Sequence, residues 1–404
     1  MGTQKNSKKK KTPNTRTGNK GEWSEVYVFF KLLGTPELIQ CDKYLHVNGG
    51  KVAFDQIFRK PNKKSDPLCY TYDVTQKQWS VSSGKQERAI STELCKAHAE
   101  DLLKLICETD WSGTHEFPEI FSFLKDYLLA DSIKANSKEK KDIKLRILEK
   151  MSGSHMLCGF SIKSLIGQDP TLLNPARTTC FTYKILGITE AAAEAIQGYS
   201  VESYEYKEVP DGWISTIVHQ IQASGGRLLF HSLNETFRRN LELIDGKMAE
   251  IISSYVLAAY SESPRTTKKR NFSLNIPDVT SRVSALDPAD FRGLNKELLY
   301  AHKIKEFLKA VALGMTPGKP WQGKEDANGG YIIVQADGTL VTFLIYDREA
   351  LLDYLYENTK LEHPSFSKLN RKPKKKAWPT PVGRIYKKDD ALFISLPLQI
   401  RFTL

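Results

Sequence analysis

Asp142 and Lys163 carry side chains suited to metal-assisted phosphate chemistry, and the sequence places them on two predicted strands. Residues 142–147 alternate between charged and apolar side chains, and residues 160–164 show the same two-residue period. This alternation is typical of half-buried strands, and the glycine-containing segment between them predicts a turn. Pairing of these strands would bring the Asp142 carboxylate, the Ser161 hydroxyl and the Lys163 ammonium to one sheet edge. A carboxylate binds divalent cations through oxygen, and a lysine orients water or offsets the charge of a phosphate.

The pattern D…(D/E)xK of metal-dependent nucleases requires a second acid two residues before the lysine. Here that position holds Ser161, so the candidate tripeptide is Ser-Ile-Lys. The Ser161 hydroxyl or the backbone carbonyl of Ile162 can contribute an oxygen ligand beside Asp142, but such a site still requires another carboxylate. The tripeptide alone is a weak signal, and an amphipathic hairpin with solvated charges is the alternative.

Glu25 is the candidate for the missing carboxylate. Residues 19–33 predict a helix, because Asn19 is a favourable N-cap and Glu22 stands at the capping-box position. Capping accounts for Glu22, whereas Glu25 falls on the mostly apolar half of the helix. A carboxylate there requires a metal or a cationic partner, so a salt bridge within the core is the alternative. Glu149 and Glu22 are the next candidates for the same role after Glu25.

The chain is basic overall, with 59 Lys and Arg against 47 Asp and Glu and a net charge of +12. Its 404 residues are 40% hydrophobic, which suffices for a sizeable core and excludes a wholly disordered chain. Residues 1–17 contain a lysine run and no acid, and a second lysine-rich run spans residues 368–376. We expect the first to be a disordered arm and the second an exposed loop. The charge favours a polyanionic partner, nucleic acid before an acidic membrane surface.

Motifs for several other chemistries are missing from the sequence. The six cysteines form no C-x-x-C pair, so we expect reduced thiols in a cytoplasmic protein. We find no apolar run of transmembrane length and no signal peptide, and therefore expect no membrane association. No H-x-x-x-H pair, G-x-S-x-G elbow, P-loop or dinucleotide fingerprint occurs, which leaves zinc, serine-hydrolase and nucleotide-driven chemistry without support.

Helices and strands are both predicted along the chain. Apolar periodicity predicts helices at Glu93–Cys107, Glu116–Ile133, Arg227–Ser261, Lys296–Leu313 and Arg348–Asn358. Strands are predicted within residues 40–82, at Cys180–Ile185, on either side of Asp337-Gly338, and in a closing hairpin of Gly383–Tyr386 and Leu392–Phe402. This mixture predicts an α/β fold, and we see no internal repeat and no clear linker between two domains.

Several longer segments resemble the HpaII-type restriction endonucleases. They are Gly18–Glu25, Gly159–Ser164, Thr171–Asn174, Phe181–Ile185, Tyr354–Thr359 and Leu398–Phe402. The resemblance touches both ends and the middle of residues 18–404, so it is far more specific than the Asp142–Lys163 pattern. The departures are the basic arm and the lysine-rich run, and they leave the target sequence open.

The resemblance implies a type II restriction endonuclease of the PD-(D/E)xK nuclease superfamily. It implies a central mixed sheet flanked by helices, extended by insertions for DNA recognition. We expect a single endonuclease domain at residues 18–404, with the catalytic core at 18–190 and elements for recognition and core completion at 191–404. Asp142 and Lys163 then take the metal-ligand and lysine roles, and Mg²⁺ is the cofactor. The implied reaction cuts double-stranded DNA at a CCGG-like site and leaves 5′-phosphate ends.

DNA contacts are predicted just beyond the lysine strand. Gln168 is a candidate for a phosphate or base contact, with a solvated loop residue as the alternative. Asn174, Arg177, Thr178 and Thr179 form a polar segment close in sequence to the candidate catalytic strand. Arginine reads guanine and asparagine reads adenine in the major groove, whereas an arginine bound to phosphate positions the protein without specifying sequence.

A sequence-specific DNA endonuclease is therefore the predicted function. One rival is a DNA-binding protein without catalysis, which Ser161 in the acid's position favours. The other is a nuclease of the same core that reads the shape of damaged or structured DNA. The restriction function implies a partner methyltransferase, and a palindromic target favours a homodimer over monomers acting in turn.

Overall fold

The computed structural model describes residues 15–59, 67–84, 86–133, 141–148, 153–167, 169–202, 213–261, 273–291, 295–364 and 381–403. Most of the basic arm, the lysine-rich run at 368–376, Gln168 and Glu149 lie outside these ranges. Contacts group the chain into two units. Unit 1 comprises residues up to Cys41, Val47–Gly167 and Gly329–Thr342, and unit 2 comprises Asp42–His46, Gln168–Asn328 and the residues from Phe343 onward.

The helices begin and end at the following residues. They are α1 (Lys20–Gly34), α2 (Thr92–Glu108), α3 (Pro118–Asp126), α4 (Glu190–Gln197), α5 (Trp213–Ala223), α6 (Glu235–Glu242), α7 (Met248–Tyr260), α8 (Ile276–Leu286), α9 (Lys296–Leu313) and α10 (Arg348–Glu357). A 3-10 helix is formed by Arg177–Thr179.

The strands are distributed over the same ranges. They are β1 (Glu37–Cys41), β2 (Val47–Arg59), β3 (Leu68–Asp73), β4 (Gln78–Ser83), β5 (Gln86–Ser91), β6 (Ile143–Leu148), β7 (His155–Ser164), β8 (Thr171–Leu173), β9 (Cys180–Leu186), β10 (Arg227–Leu233), β11 (Ser273–Asn275), β12 (Gly330–Val334), β13 (Leu340–Leu344), β14 (Thr359–Glu362), β15 (Ile385–Lys388), β16 (Ala391–Pro397) and β17 (Ile400–Phe402).

Unit 1 is built on a mixed sheet. Its strands lie in the order β1-β13-β12-β7-β6-β2-β3-β4-β5. β7 pairs antiparallel with β6 and parallel with β12, so β7 is an interior strand between two partners of opposite direction. The predicted pairing of the Asp142 and Lys163 strands is therefore confirmed, and so is the mixed α/β class.

The core of unit 1 forms around α1. The predicted capping box is present, because the Glu22 N–H donates to Asn19 Oδ1 and the Asn19 N–H donates to a Glu22 carboxylate oxygen. Trp23 and Phe30 are fully buried, and the Tyr27 hydroxyl donates to the Gly338 carbonyl at 2.6 Å. α1 packs on both α2 and β7, so this helix is fixed against the interior strand of the sheet.

Unit 2 contains most of the remaining helices and two smaller sheets. One sheet has the order β10-β9-β16-β15, and the other has the order β11-β14-β17-β8. Buried tyrosines tie helices to these sheets, since the Tyr183 hydroxyl on β9 donates to the Ser253 carbonyl of α7 at 2.6 Å. No helix in the ranges described is long and apolar enough to cross a membrane.

Two helix predictions require correction. Arg227–Ser261 was predicted to be helical, but Arg227–Leu233 is strand β10, because it forms an antiparallel ladder with β9 that overrides its local helical preference. The rest of the segment is divided into α6 and α7, which are separated at Asp245-Gly246. The predicted helix Glu116–Ile133 is limited to α3. The remaining predicted helices correspond to α2, α9 and α10, which confirms them to within about two residues at each end.

Candidate active site

Asp142 immediately precedes β6, at the edge where β7 extends beyond its pairing with that strand. The Asp142 N–H donates to the Phe160 carbonyl at 2.8 Å and closes the ladder between the two strands. Beyond this rung the N–H of Ile162 has no partner on β6, and it donates instead to Asp142 Oδ2 at 2.7 Å. The Ser161 hydroxyl donates to the same oxygen at 3.3 Å. Two donors therefore fix the Asp142 carboxylate at the strand end, and hydrogen bonds to an ionised acceptor are among the stronger ones in proteins.

Ser161, at the position of the missing acid, is buried and hydrogen-bonded to Asp142. Its side chain is 3% exposed, and its single hydroxyl proton is directed to Asp142. The Tyr331 hydroxyl on β12 forms a hydrogen bond with Ser161 from the other side. Because Ser161 has already donated its proton, the phenol must be the donor of that bond. Ser161 therefore orients Asp142, and coordination of a metal by its hydroxyl oxygen stays a prediction.

Glu25 lies on α1, and its carboxyl group interacts electrostatically with Asp142 and Lys163. Burial and the nearby negative charge of Asp142 raise the pKa of Glu25 to about 8, and the positive charges of Lys163 and Arg59 oppose this rise. The charge of Asp142 contributes to this rise after burial, which is consistent with both carboxyl groups belonging to one site. A cation bound by both groups would remove the repulsion and stabilise the ionised form of Glu25.

Arg59 is a charged residue of this site that the sequence prediction missed. Its side chain is 4% exposed, and its guanidinium donates to the carbonyls of Ser132 at 3.2 Å and Ile133 at 2.7 Å. The guanidinium also lies 5.2 Å from the centre of the Phe29 ring. It thus provides a buried positive charge near Glu25. An arginine at the end of a half-buried strand resembles a solvated one, so its sequence carries no signal of this role.

The oxygen donors present suit magnesium better than a metal that requires a full protein cage. Within the ranges described, no group of three or more His, Cys, Asp or Glu side chains is arranged to hold a metal ion. Mg²⁺ keeps several waters and is usually held by one or two carboxylates together with substrate phosphate. The carboxylates of Asp142 and Glu25 are donors of this type, and Ile162 as a backbone ligand stays a prediction.

The polar segment predicted to contact DNA lies in unit 2. Asn174 is exposed, and Thr178 is partly exposed and lies against Gly318. Thr179 is 1% exposed, and its hydroxyl accepts the Ala176 N–H at 3.0 Å and donates to the Leu398 carbonyl at 3.1 Å. Thr179 therefore holds the segment in place and is too buried to contact a ligand directly.

Arg177 begins the 3-10 helix of the same segment. It is partly buried, and desolvation lowers the pKa of its guanidinium. Gln168, the remaining predicted DNA contact, lies outside the described residues, so its role stays a prediction.

A pair of carboxylates and a lysine, gathered at an interior strand of a mixed sheet, is an arrangement typical of enzymes that cut phosphodiester bonds with a divalent metal. Comparison with known proteins identifies the class. A model of the HpaII restriction endonuclease family matches residues 19–402. The chain is also 33% identical, over 396 residues, to the type II restriction enzyme HpaII of Haemophilus parainfluenzae, an alignment that covers 96% of this chain and 98% of the relative.

The chain therefore belongs to the HpaII restriction endonuclease family, and it is a type II site-specific deoxyribonuclease. No solved structure matches it significantly. The resemblance seen in the sequence is confirmed by both comparisons.

Proposed function

We propose that this enzyme hydrolyses double-stranded DNA at a CCGG-like site with Mg²⁺, on a PD-(D/E)xK core whose second acid comes from α1. The observation that carries the proposal is the electrostatic coupling of Glu25 to Asp142 and Lys163. In this arrangement Glu25 replaces the acid that the pattern places at Ser161. Glu25, Asp142 and the Ile162 carbonyl would hold the metal, which when bound supplies a Lewis acid that polarises the scissile phosphate.

The protein side chains then have distinct roles. The Asp142 carboxylate is fixed by the Ile162 N–H and the Ser161 hydroxyl, so its orientation needs no adjustment when substrate binds. Lys163 donates a hydrogen bond to the attacking water or offsets the negative charge that develops on the phosphate oxygens. Attack in line with the leaving 3′ oxygen yields a 5′-phosphate and a 3′-hydroxyl. Arg59 offsets the negative charge that remains around Glu25.

We assign DNA recognition to the polar segment of unit 2. Asn174, Arg177 and Thr178 retain contact with solvent, and Thr179 supports their backbone. Arginine bidentate to guanine is the most common specific contact in the major groove, which fits a target rich in G·C pairs. The basic arm and the run at 368–376 would add phosphate contacts that do not depend on sequence.

A two-fold symmetric target favours a homodimer, because each subunit can then cut one strand at an equivalent position. We further propose that the enzyme acts in the cytoplasm beside a methyltransferase that protects host DNA. Six free cysteines, Cys41, Cys69, Cys95, Cys107, Cys158 and Cys180, agree with a reducing compartment. Sedimentation with and without a duplex containing one site tests the dimer.

The test of the catalytic assignment is digestion of a sequenced plasmid with Mg²⁺ and with EDTA, followed by sequencing of the fragment ends. We expect discrete fragments with wild type, and a loss of about 100-fold or more in cleavage rate with Lys163→Ala and with Glu25→Gln. Lys104→Ala and Glu108→Gln, which alter exposed residues of α2, are the matched controls and should cut normally.

The alternatives give different results in the same assay. Sequence-independent cutting would support a nuclease that reads DNA shape, and binding without cutting under several divalent metals would support a non-catalytic protein. Normal cutting by Glu25→Gln would remove Glu25 from the site while leaving the family assignment intact.

A further inference from the structure

Tyr331 is a buried phenol that touches the candidate site from the strand opposite to Asp142. β12 pairs parallel with β7, and the register places Tyr331 directly beside Ser161. Tyr331 is 1% exposed, so its hydroxyl cannot obtain a hydrogen bond from bulk water. The hydroxyl instead bonds to Ser161, which in turn donates to Asp142 Oδ2.

The hydrogen bonds run in one direction, from Tyr331 on β12 through Ser161 on β7 to Asp142, which immediately precedes β6. Ser161 has one proton and directs it to Asp142, so it must accept the proton of Tyr331. Without this donor, only the hydrogen bond to Asp142 would orient the Ser161 hydroxyl.

We propose that Tyr331 is a positioning residue, which acts through Ser161 to hold the Asp142 carboxylate in the orientation required for metal binding and cleavage. The proposal rests on the role assigned to Asp142 above. It also explains why a serine suffices at the position where the pattern expects an acid. The serine transmits an orienting hydrogen bond, and Glu25 supplies the charge.

The alternative is that Tyr331 only packs in the core and holds β7 and β12 together. The backbone hydrogen bonds between these strands argue against this alternative. Gly159 and Gly329 hydrogen-bond at 2.7 Å, and the Leu165 N–H donates to the Val334 carbonyl at 2.8 Å, so β7 and β12 are joined beyond both ends of the Tyr331–Ser161 pair. The phenol is therefore not needed to hold the strands together. Partners that orient metal ligands typically contribute about 10- to 100-fold in metal affinity or activity.

The test combines Tyr331→Phe, Ser161→Ala and the double variant, with Tyr183→Phe as control. Tyr183 is an equally buried phenol of unit 2 that donates to a backbone carbonyl, so its loss reports the cost of removing such a hydroxyl in general. Binding of Mn²⁺ to the full-length enzyme with an uncleaved duplex under non-turnover conditions is measured by calorimetry. The cleavage rate constant and the thermal midpoint in EDTA are measured beside it.

We expect Tyr331→Phe to weaken Mn²⁺ binding and slow cleavage by about 10-fold, with a thermal midpoint close to that of Tyr183→Phe. The double variant should bind Mn²⁺ and cut no worse than Ser161→Ala alone, because both changes break the same relay. Additive losses in the double variant, or wild-type metal binding by Tyr331→Phe, would overturn the proposal. Asp142→Asn separates a failure of this proposal from a failure of the proposed function, because an active Asp142→Asn enzyme would refute the role of Asp142 itself.

Discussion

Glu25→Gln is expected to stabilise the metal-free protein while it removes cleavage activity. The carboxyl of Glu25 has an ordinary pKa of 4.5 and a pKa of about 8 in the folded protein. Between these values the folded state retains a proton that the unfolded state has lost, so the stability of wild type falls as the pH rises. Glutamine does not titrate, so the free energy of unfolding of the variant lacks this dependence on pH.

The magnitude follows from the two pKa values. At 1.36 kcal/mol per pH unit, the full interval from 4.5 to about 8 corresponds to about 5 kcal/mol. This is an upper limit, because Glu25 keeps some contact with solvent. Between pH 5.5 and pH 8 the destabilisation of wild type relative to the variant should grow by about 3 kcal/mol.

The assay is urea denaturation of both proteins in EDTA at pH 5.5 and pH 8, with Glu108→Gln as the control for loss of an exposed carboxylate. Adding Mg²⁺ at pH 8 should stabilise wild type more than Glu25→Gln, because the metal binds the folded state through this carboxylate. Equal pH dependence in wild type and variant would refute the reasoning, and would indicate that Glu25 is solvated and distant from Asp142.

Three further changes test other parts of the structure. His363→Phe should flatten the acid side of the stability profile, because burial lowers the pKa of His363 to about 4 from 6.5, and wild type therefore loses up to about 3 kcal/mol as the pH falls through that interval in urea denaturation. Gly329→Ala should lower the urea midpoint by an amount corresponding to about 1–3 kcal/mol, because its added Cβ would lie 2.6 Å from the Phe160 ring. Arg177→Ala should weaken binding of the target duplex by about 1–3 kcal/mol in a titration without cleavage.

Each of these expectations has a result that contradicts it. If the stability of wild type and of His363→Phe depends on pH in the same way, the pKa of His363 is not lowered by folding. A wild-type midpoint for Gly329→Ala would mean that β12 can move away from β7. For Arg177→Ala, Lys104→Ala is the control, and unchanged affinity would remove Arg177 from the interface. A decrease of about 0.9 in the salt slope would identify Arg177 as a phosphate contact.

The elements that carry the site were predictable because their signals are local. The Asn19–Glu22 capping box lies within one helical turn and marks the start of α1 correctly. Alternation in residues 142–147 predicts a strand that corresponds to β6 (Ile143–Leu148), in which Ile143, Leu145 and Ile147 are all buried. Local signals failed at Arg227–Leu233, where pairing with β9 determined the conformation.

The contacts of the site were predictable only in part. Glu25 was selected because a carboxylate on an apolar helix face requires a partner, and the structure brings its charge to Asp142 and Lys163. Tyr331 could not be selected in this way, because it lies in the apolar run Gly330–Val334 and its partner is determined by parallel pairing with a strand distant in sequence. No sequence pattern indicates which of two buried hydroxyl groups donates the hydrogen bond between them.

The central claim is that Asp142 and Glu25 bind one catalytic metal. The most direct measurement is an anomalous difference map from crystals of the enzyme with Mn²⁺ and a duplex containing the target site. We predict a peak within about 2.0–2.2 Å of a carboxylate oxygen of each residue. A peak bound by Asp142 with Glu25 turned away, or a metal held by other residues, would contradict the account.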